Sequence, residues 1–213
     1  MKIFYLDTSS DYLYSGIVID NRVVSEVKEK LGKDMSKLTL PKIIKVFQDA
    51  NISPNELDKI MVVIGPGSFT GIRIGVTIAK TIAWSLNIPI IPISGLTAMA
   101  ISFNESNHTN YIMPLIDARR GYVYGALYDN TSKAVIADTH ILLTTLEENS
   151  QAYHQITVVT NNDLKTPYDT IKYDPDILAI TTYFKDDKGV NPHTVNPIYL
   201  KKTEAEEKAN LWL

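Results

Sequence analysis

The sequence predicts an α/β protein of two related lobes, each built on a mixed β-sheet. Three observations carry this. Apolar and alternating segments in the first hundred residues follow the order β-β-β-α-β-α-β-α. That order opens as a meander and then needs crossover connections, so antiparallel and parallel pairs share one sheet. After a polar break at Asn104–Asn110 the chain restarts as strand, turn, strand, turn, strand. Residue identity between the halves is weak, so the repeat is one of pattern. The lobes are placed at residues 1–103 and 104–213, the second smaller in content.

The elements follow in order. Met1 to Thr8 alternates as a first strand and ends in the polar turn Thr8-Ser9-Ser10-Asp11. Tyr12–Asp20 and Arg22–Lys30 are the next strands, joined at Asp20-Asn21, a pair suited to a tight hairpin. Ser36–Ala50 sets Leu40, Ile43, Ile44 and Phe47 at helical spacing, with Lys42, Lys45 and Asp49 facing away, and Pro41 is expected in its first turn. A short turn at Ser53-Pro54-Asn55-Glu56 leads into a buried, β-branched strand at Asp58–Ile64. Gly65-Pro66-Gly67 stops that strand, and Ser68 and Thr70 are good caps for a helix over Thr70–Leu86. Ile88–Ile93 is a strand whose Pro89 and Pro92 put it near a sheet edge. Ser94 caps a helix reaching Phe103.

In the second half, Tyr111–Asp117, Tyr122–Tyr128 and Ala134–Leu142 read as strands. Thr144–Asn149 reads as a short helix, Ile156–Thr160 as a strand and Asp176–Phe184 as a helix. Lys185–His193 is a polar loop and Pro197–Leu200 a short extended piece. The tail Glu204–Leu213 has helical composition and is expected to pack back on the body.

Composition narrows the function classes. With 213 residues, 45% of them hydrophobic, the chain can bury substantial cores. A net charge of -3 argues against strong unaided binding to nucleic acid, while leaving room for a local basic patch. The absence of cysteine excludes disulfides, thiolate catalysis and Cys-based metal sites. Asp7 stands too early for a signal peptide and no apolar run is long enough to span a bilayer, so a cytoplasmic location without membrane association is expected.

The helix after Gly65-Pro66-Gly67 has an unusual surface. Arg73 and Lys80 are its only charges and share a face with Thr77 between them, while Gly71, Gly75 and Ala79 form a smooth stripe every four residues. Such a stripe admits a close backbone, either the helix's own sheet or a docking partner.

No self-sufficient catalytic constellation stands in the sequence. The Gly65–Gly75 run matches neither the Walker pattern nor G-x-G-x-x-G, because Thr70 occupies the place of the third glycine. His108, His140, His154 and His193 have no metal-ligand spacing, and there is no G-x-S-x-G elbow. Asp7 and Asp117 end the first strand of each half. Acidic strand ends of this kind face each other across the cleft of two-lobed nucleotide phosphotransferases. Here the turn after Asp7 lacks glycine, and Gly121 stands behind Arg119 and Arg120, so neither turn is fitted to wrap a phosphate. The two arginines read either as contacts to phosphate or RNA or as solvated charges.

Leu6-Asp7-Thr8-Ser9, the Gly65–Gly75 run, Asp117-Ala118-Arg119-Arg120-Gly121-Tyr122-Val123-Tyr124 and Pro197-Ile198-Tyr199-Leu200 occur in this order over nearly the whole chain. Together they resemble the bacterial TsaB (YeaZ) family. The resemblance implies two ribonuclease H-like lobes of the actin, Hsp70 and sugar-kinase type. It implies a non-catalytic partner of TsaD in making threonylcarbamoyladenosine beside the anticodon, with TsaE joining, tRNA bound through the complex, and ATP and metal on the partner subunits.

The first two helices would dock on TsaD, which turns the open reading of the glycine-striped helix toward a partner surface of Gly71, Arg73, Gly75, Thr77, Ala79, Lys80 and Trp84. Without TsaD, the same helix is expected to form a homodimer. Asp7, Thr8, Ser9, Asp117, Arg119 and Arg120 remain as cleft contacts for an anion or tRNA, with Lys201 and Lys202 as further cations. Relatives often carry a histidine in an H-S-x-x-L-x-P segment where Met35 stands here, so a role for that histidine does not carry over. The competing reading is a degenerate nucleotide phosphotransferase or a glycoprotease-like peptidase acting alone.

Overall fold

The computed structural model describes residues 1–104 and 110–201. The expected tail helix, Lys202 and most of the polar break between the halves lie outside the described residues. The first half forms β1 (Lys2–Asp7), β2 (Tyr12–Ile19), β3 (Arg22–Lys30), α1 (Met35–Asp49), β4 (Lys59–Val63), α2 (Phe69–Leu86), β5 (Ile90–Ile93) and α3 (Gly95–Asn104). The second forms β6 (Tyr111–Asp117), β7 (Tyr122–Asp129), β8 (Ala134–Leu142), α4 (Leu143–Asn149), β9 (Ile156–Thr160), β10 (Asp169–Lys172) and α5 (Ile177–Tyr183).

The two sheets repeat one topology. The first has the order β3-β2-β1-β4-β5 and the second β8-β7-β6-β9-β10. In both, the opening meander is antiparallel and the last two strands run parallel to the first. The second lobe is reduced because no helix joins β9 to β10, where α2 stands in the first. Proline does hold β5 at a sheet edge, and Val190 closes part of that edge by an isolated bridge to Ile90. Asp20 and Asn21 take left-handed backbone at φ 48° and 61°, as a two-residue hairpin requires.

Central strands β1 and β4 are buried on both faces. Phe4, Leu6, Ile60 and Val62 face α1 and α2, whereas Ile3, Tyr5, Met61 and Val63 face a second core. That core contains α3, α5 and residues Ile112, Ala126 and Val159 of the other sheet, so the lobes share it. A polar clamp reinforces the junction. The Ser94 hydroxyl, which caps α3, donates to Asp138 of β8, and the Tyr128 hydroxyl donates to the other oxygen of Asp138 at 2.7 Å.

Two expectations need correcting. Pro41 stands inside α1, beyond the first turn; it is exposed, where the carbonyl left without its N–H donor can turn to water. Strand β10 is absent from the sequence reading because all four of its residues are exposed, which leaves no apolar signature.

The glycines of α2 face inward. A Cβ on Gly71 would lie 2.0 Å from the Thr8 carbonyl oxygen, and one on Gly75 would lie 2.3 Å from the Thr8 hydroxyl. The Thr8 hydroxyl donates to the Gly71 carbonyl at 2.7 Å, and Ser68 N–H donates to the Ser9 carbonyl at 2.7 Å. The turn after β1 is therefore seated in a notch of the helix. Gly71→Ala should destabilise the protein by about 3 kcal/mol, since it overpacks against backbone. Gly32→Ala should cost only about 1 kcal/mol, because Gly32 has φ 51° but open space around it. Urea denaturation of the two variants checks the contrast.

Candidate functional site

Two surfaces meet at the N-terminus of α2. The first is the interlobe cleft, with a volume of about 650 Å³, lined by Asp7, Asp117, Arg119, Lys30, Asn162 and Lys201 among others. It gathers both acidic strand ends in one place. Asp7 is only 3% exposed and its carboxylate accepts from Ser9 N–H at 2.7 Å. Asp117 is exposed and accepts from Arg119 N–H at 2.7 Å, so both strand ends close the same kind of turn. Burial holds the Asp7 carboxyl above the usual carboxylate range, against the backbone and side chain of Ser9, which pull it down. Beneath it, burial raises the hydroxyls of Tyr5 and Tyr173 well above the ordinary tyrosine value, and the charge of Asp7 adds to the rise of both.

These turns do not form a phosphate cradle. The amides of Ser9 and Arg119 are taken by the carboxylates of Asp7 and Asp117. The Thr8 and Ser9 carbonyls face α2, and Thr8 and Ser9 are buried, so Thr8 does not reach the cleft and Ser9 offers it little. Arg119 and Arg120 are exposed. Among the described residues there is no cluster of three acidic or histidine side chains that would hold a metal ion.

The second surface is helical. Gly71, Gly75 and Ala79 are buried against their own lobe, which removes them from any docking face. The physical reason is the seated Thr8–Ser9 turn, which fills the notch that the stripe provides. Arg73, Thr77 and Trp84 do point outward, with Trp84 63% exposed. Arg73 and Lys80, however, are engaged by a strap, residues 190–200, that runs back along α2. Lys80 Nζ donates to the Val195 carbonyl at 2.5 Å, and Arg73 Nε donates to the Tyr199 hydroxyl at 2.8 Å. The Arg73 guanidinium lies 3.7 Å from the Phe69 ring centroid. Ile198 N–H donates to the Ile64 carbonyl at 2.8 Å, Val195 is buried, and His193 packs edge-on against Trp84.

On the opposite flank of α2 lies an open groove of about 690 Å³, lined by Leu40, Ile43, Ile44, Phe47, Ile52 and Ile82. Leu40 and Ile44 are 51% and 50% exposed, although the spacing of α1 assigns them to its apolar face. Sequence reasoning missed this groove, the strap, and the Phe69–Tyr199 pair with ring centroids 5.1 Å apart. The signal for the groove was present in α1, whose apolar stripe is wider than its own sheet covers. The strap has no comparable signal, because main-chain atoms make much of its contact.

Two lobes of one topology, closing on a cleft with an acid at the end of each first strand, define a protein of the two-lobed ribonuclease H-like class found in actin, Hsp70 and the sugar kinases. The family model described as "TsaD: tRNA N6-adenosine threonylcarbamoyltransferase" matches residues 23–206. A tRNA threonylcarbamoyladenosine biosynthesis protein TsaB from Bacillus subtilis (strain 168) is 31% identical, covering 98% of this chain and 97% of its own. The protein of the same name from Haemophilus influenzae is 32% identical over 58% of this chain and 52% of its own. The solved structure of YeaZ from Pseudomonas aeruginosa matches with a TM-score of 0.76 and 20% identity, covering 93% of this chain and 100% of that one. The chain belongs to the TsaB (YeaZ) family.

The Asp7 environment sets a pH dependence. A carboxyl with a raised pKa binds its proton more tightly in the folded state, so stability falls as pH rises from the ordinary carboxylate value through the folded one. Asp7→Asn keeps an oxygen for the Ser9 amide and removes the buried charge. Its stability relative to the parent should rise between pH 4 and pH 7 and vanish in acid, measured by urea denaturation across that range.

Proposed function

We propose that the chain is a non-catalytic subunit of the machinery that makes threonylcarbamoyladenosine next to the anticodon of tRNA. In this reading it docks on TsaD and supports TsaD's transfer of the threonylcarbamoyl group, with TsaE joining the assembly. ATP and metal belong to those partners. The work is cytoplasmic, and no described helix is long and apolar enough to cross a membrane. Residues 1–103 and 104–213 act as the two lobes, the second reaching back through its strap.

The observation that carries the reading is the open apolar groove between α1 and α2. Leu40 and Ile44 are half in water beside Ile82, and contiguous apolar surface of this kind marks a contact with another protein. Thr77, Thr81 and Trp84 are exposed on the strap side of α2, so they lie apart from this groove. The family's relatives, named as biosynthesis proteins for this modification, supply the chemistry to which the contact belongs. The occupied amides of both cleft turns support a role without turnover. Left without TsaD, the groove would be covered by a second copy, and a homodimer follows.

Reconstitution tests this directly. Modified tRNA should form from TsaD, TsaE and this chain together, and modification at equal rate without this chain overturns the reading. The double variant Leu40→Glu, Ile44→Glu should weaken TsaD binding by about tenfold or more while keeping the melting temperature, because both side chains are already half exposed. Pull-down and thermal denaturation of the same preparation separate the two effects.

A further inference from the structure

We propose that the rim of the interlobe cleft is a contact surface for a single-stranded segment of RNA, the tRNA substrate itself. This rests on the reading under Proposed function. Single strands are held by cations along the backbone, exposed aromatic rings for the bases, and amide or hydroxyl groups that read base edges. The rim has all three. Lys30, Arg119 and Lys201 line the cleft, and Arg120 is exposed beside Arg119. None of these four forms an ion pair among the described residues. Two other acids share the cleft with the buried Asp7: Asp11, and Asp117, one of whose oxygens is already held by the Arg119 amide.

Phe69 lines the same cleft and is 54% exposed. On the floor, Asn161 and Asn162 each keep hydrogen-bonding capacity. Asn161 Nδ2 donates to the Tyr14 hydroxyl, leaving its carbonyl oxygen, and Asn162 Oδ1 accepts from Asp117 N–H, leaving its amino group. An acidic peptide would use the cations and leave the amides and the ring without a role.

The backbone adds an independent argument. Arg119 and Arg120 hold φ of 69° and 56°, left-handed values that favour Asn or Gly. The β2–β3 hairpin meets the same demand with Asp20-Asn21. Arginine is the more costly choice at this turn on backbone grounds, and what it adds is two long cations at the cleft mouth. With a net charge of -3, the chain alone should hold RNA weakly, so the surface works as part of the assembly.

The test uses the reconstituted complex of this chain with TsaD and TsaE, and unmodified tRNA. Arg119→Asn with Arg120→Asn removes both charges and suits the left-handed backbone, so folding is kept. Sedimentation should show unchanged assembly. Anisotropy titration should show tRNA binding about tenfold weaker, with the slope of log affinity against log salt shallower by about one to two. Phe69→Ala should weaken binding with no change in that slope. Unchanged affinity and slope in both variants overturn the proposal. Loss of TsaD association, with tRNA binding per assembled complex unaltered, makes the rim a protein contact and also overturns it. If the unaltered chain does not join TsaD, the docking reading fails and the proposal falls with it.

Discussion

The structure depends on one close contact, the seating of the Thr8–Ser9 turn in the glycine notch of α2. The turn ends the central strand of the first sheet, forms part of the cleft wall, and touches the helix that borders the apolar groove. With no Cβ on Gly71 or Gly75, the helix axis comes near enough for the Thr8 hydroxyl to reach a helical carbonyl and for Ser68 to donate to Ser9. Each of these groups is polar and the site is closed, so separating helix and turn would strand several buried donors and acceptors at once. The position of α2 is thereby tied to the cleft wall. A displacement at the turn would carry the helix with it, since packed interiors do not deform smoothly.

That tie exists on one side only. The second lobe repeats the order and sense of the first sheet but has no helix between β9 and β10. Across the cleft from α2, the wall is instead the Arg119–Gly121 turn and the Asn161–Asn162 segment, both exposed. The cleft therefore has one wall locked to a helix and one made of turns. The shared core around α3 and α5, together with the Ser94–Asp138–Tyr128 clamp, sets the distance between those walls.

Much of the fold was legible because strands buried on both faces and helices with wide apolar stripes leave periodic signals. Ile60, Met61, Val62 and Val63 announce β4, and the Ser68 cap announces α2. The limits are physical. The spacing of Gly71, Gly75 and Ala79 states that a backbone comes close, but the backbone belongs to Thr8, 63 residues earlier, and no local pattern names it. Leu40 and Ile44 carry the same periodic signal as buried Ile43 and Phe47, so periodicity alone does not separate core from open surface. Residues 169–172 are exposed throughout and pair through main chain only, which erases the alternation by which a strand is recognised.

The strap decides which face of α2 stays open. Taken by itself, the helix is apolar nearly all round, with Arg73 and Lys80 on one face, and that face would be the natural candidate for an ionic contact with a partner. The strap takes both cations: Lys80 satisfies carbonyls that an irregular segment has no ladder to absorb, and Arg73 stacks on Phe69 while binding Tyr199. A partner approaching that face would have to displace these contacts. The opposite flank, where Ile82 meets Leu40 and Ile44, has no such cover and no charge to desolvate. Burial of apolar area is favourable there at about 25 cal/mol per Å², without the penalty of stripping an ammonium or guanidinium of its existing partners. A partner would therefore meet the lower cost on the α1 side of the helix, while the Arg73 end lies toward the cleft that Phe69 and Lys201 both line.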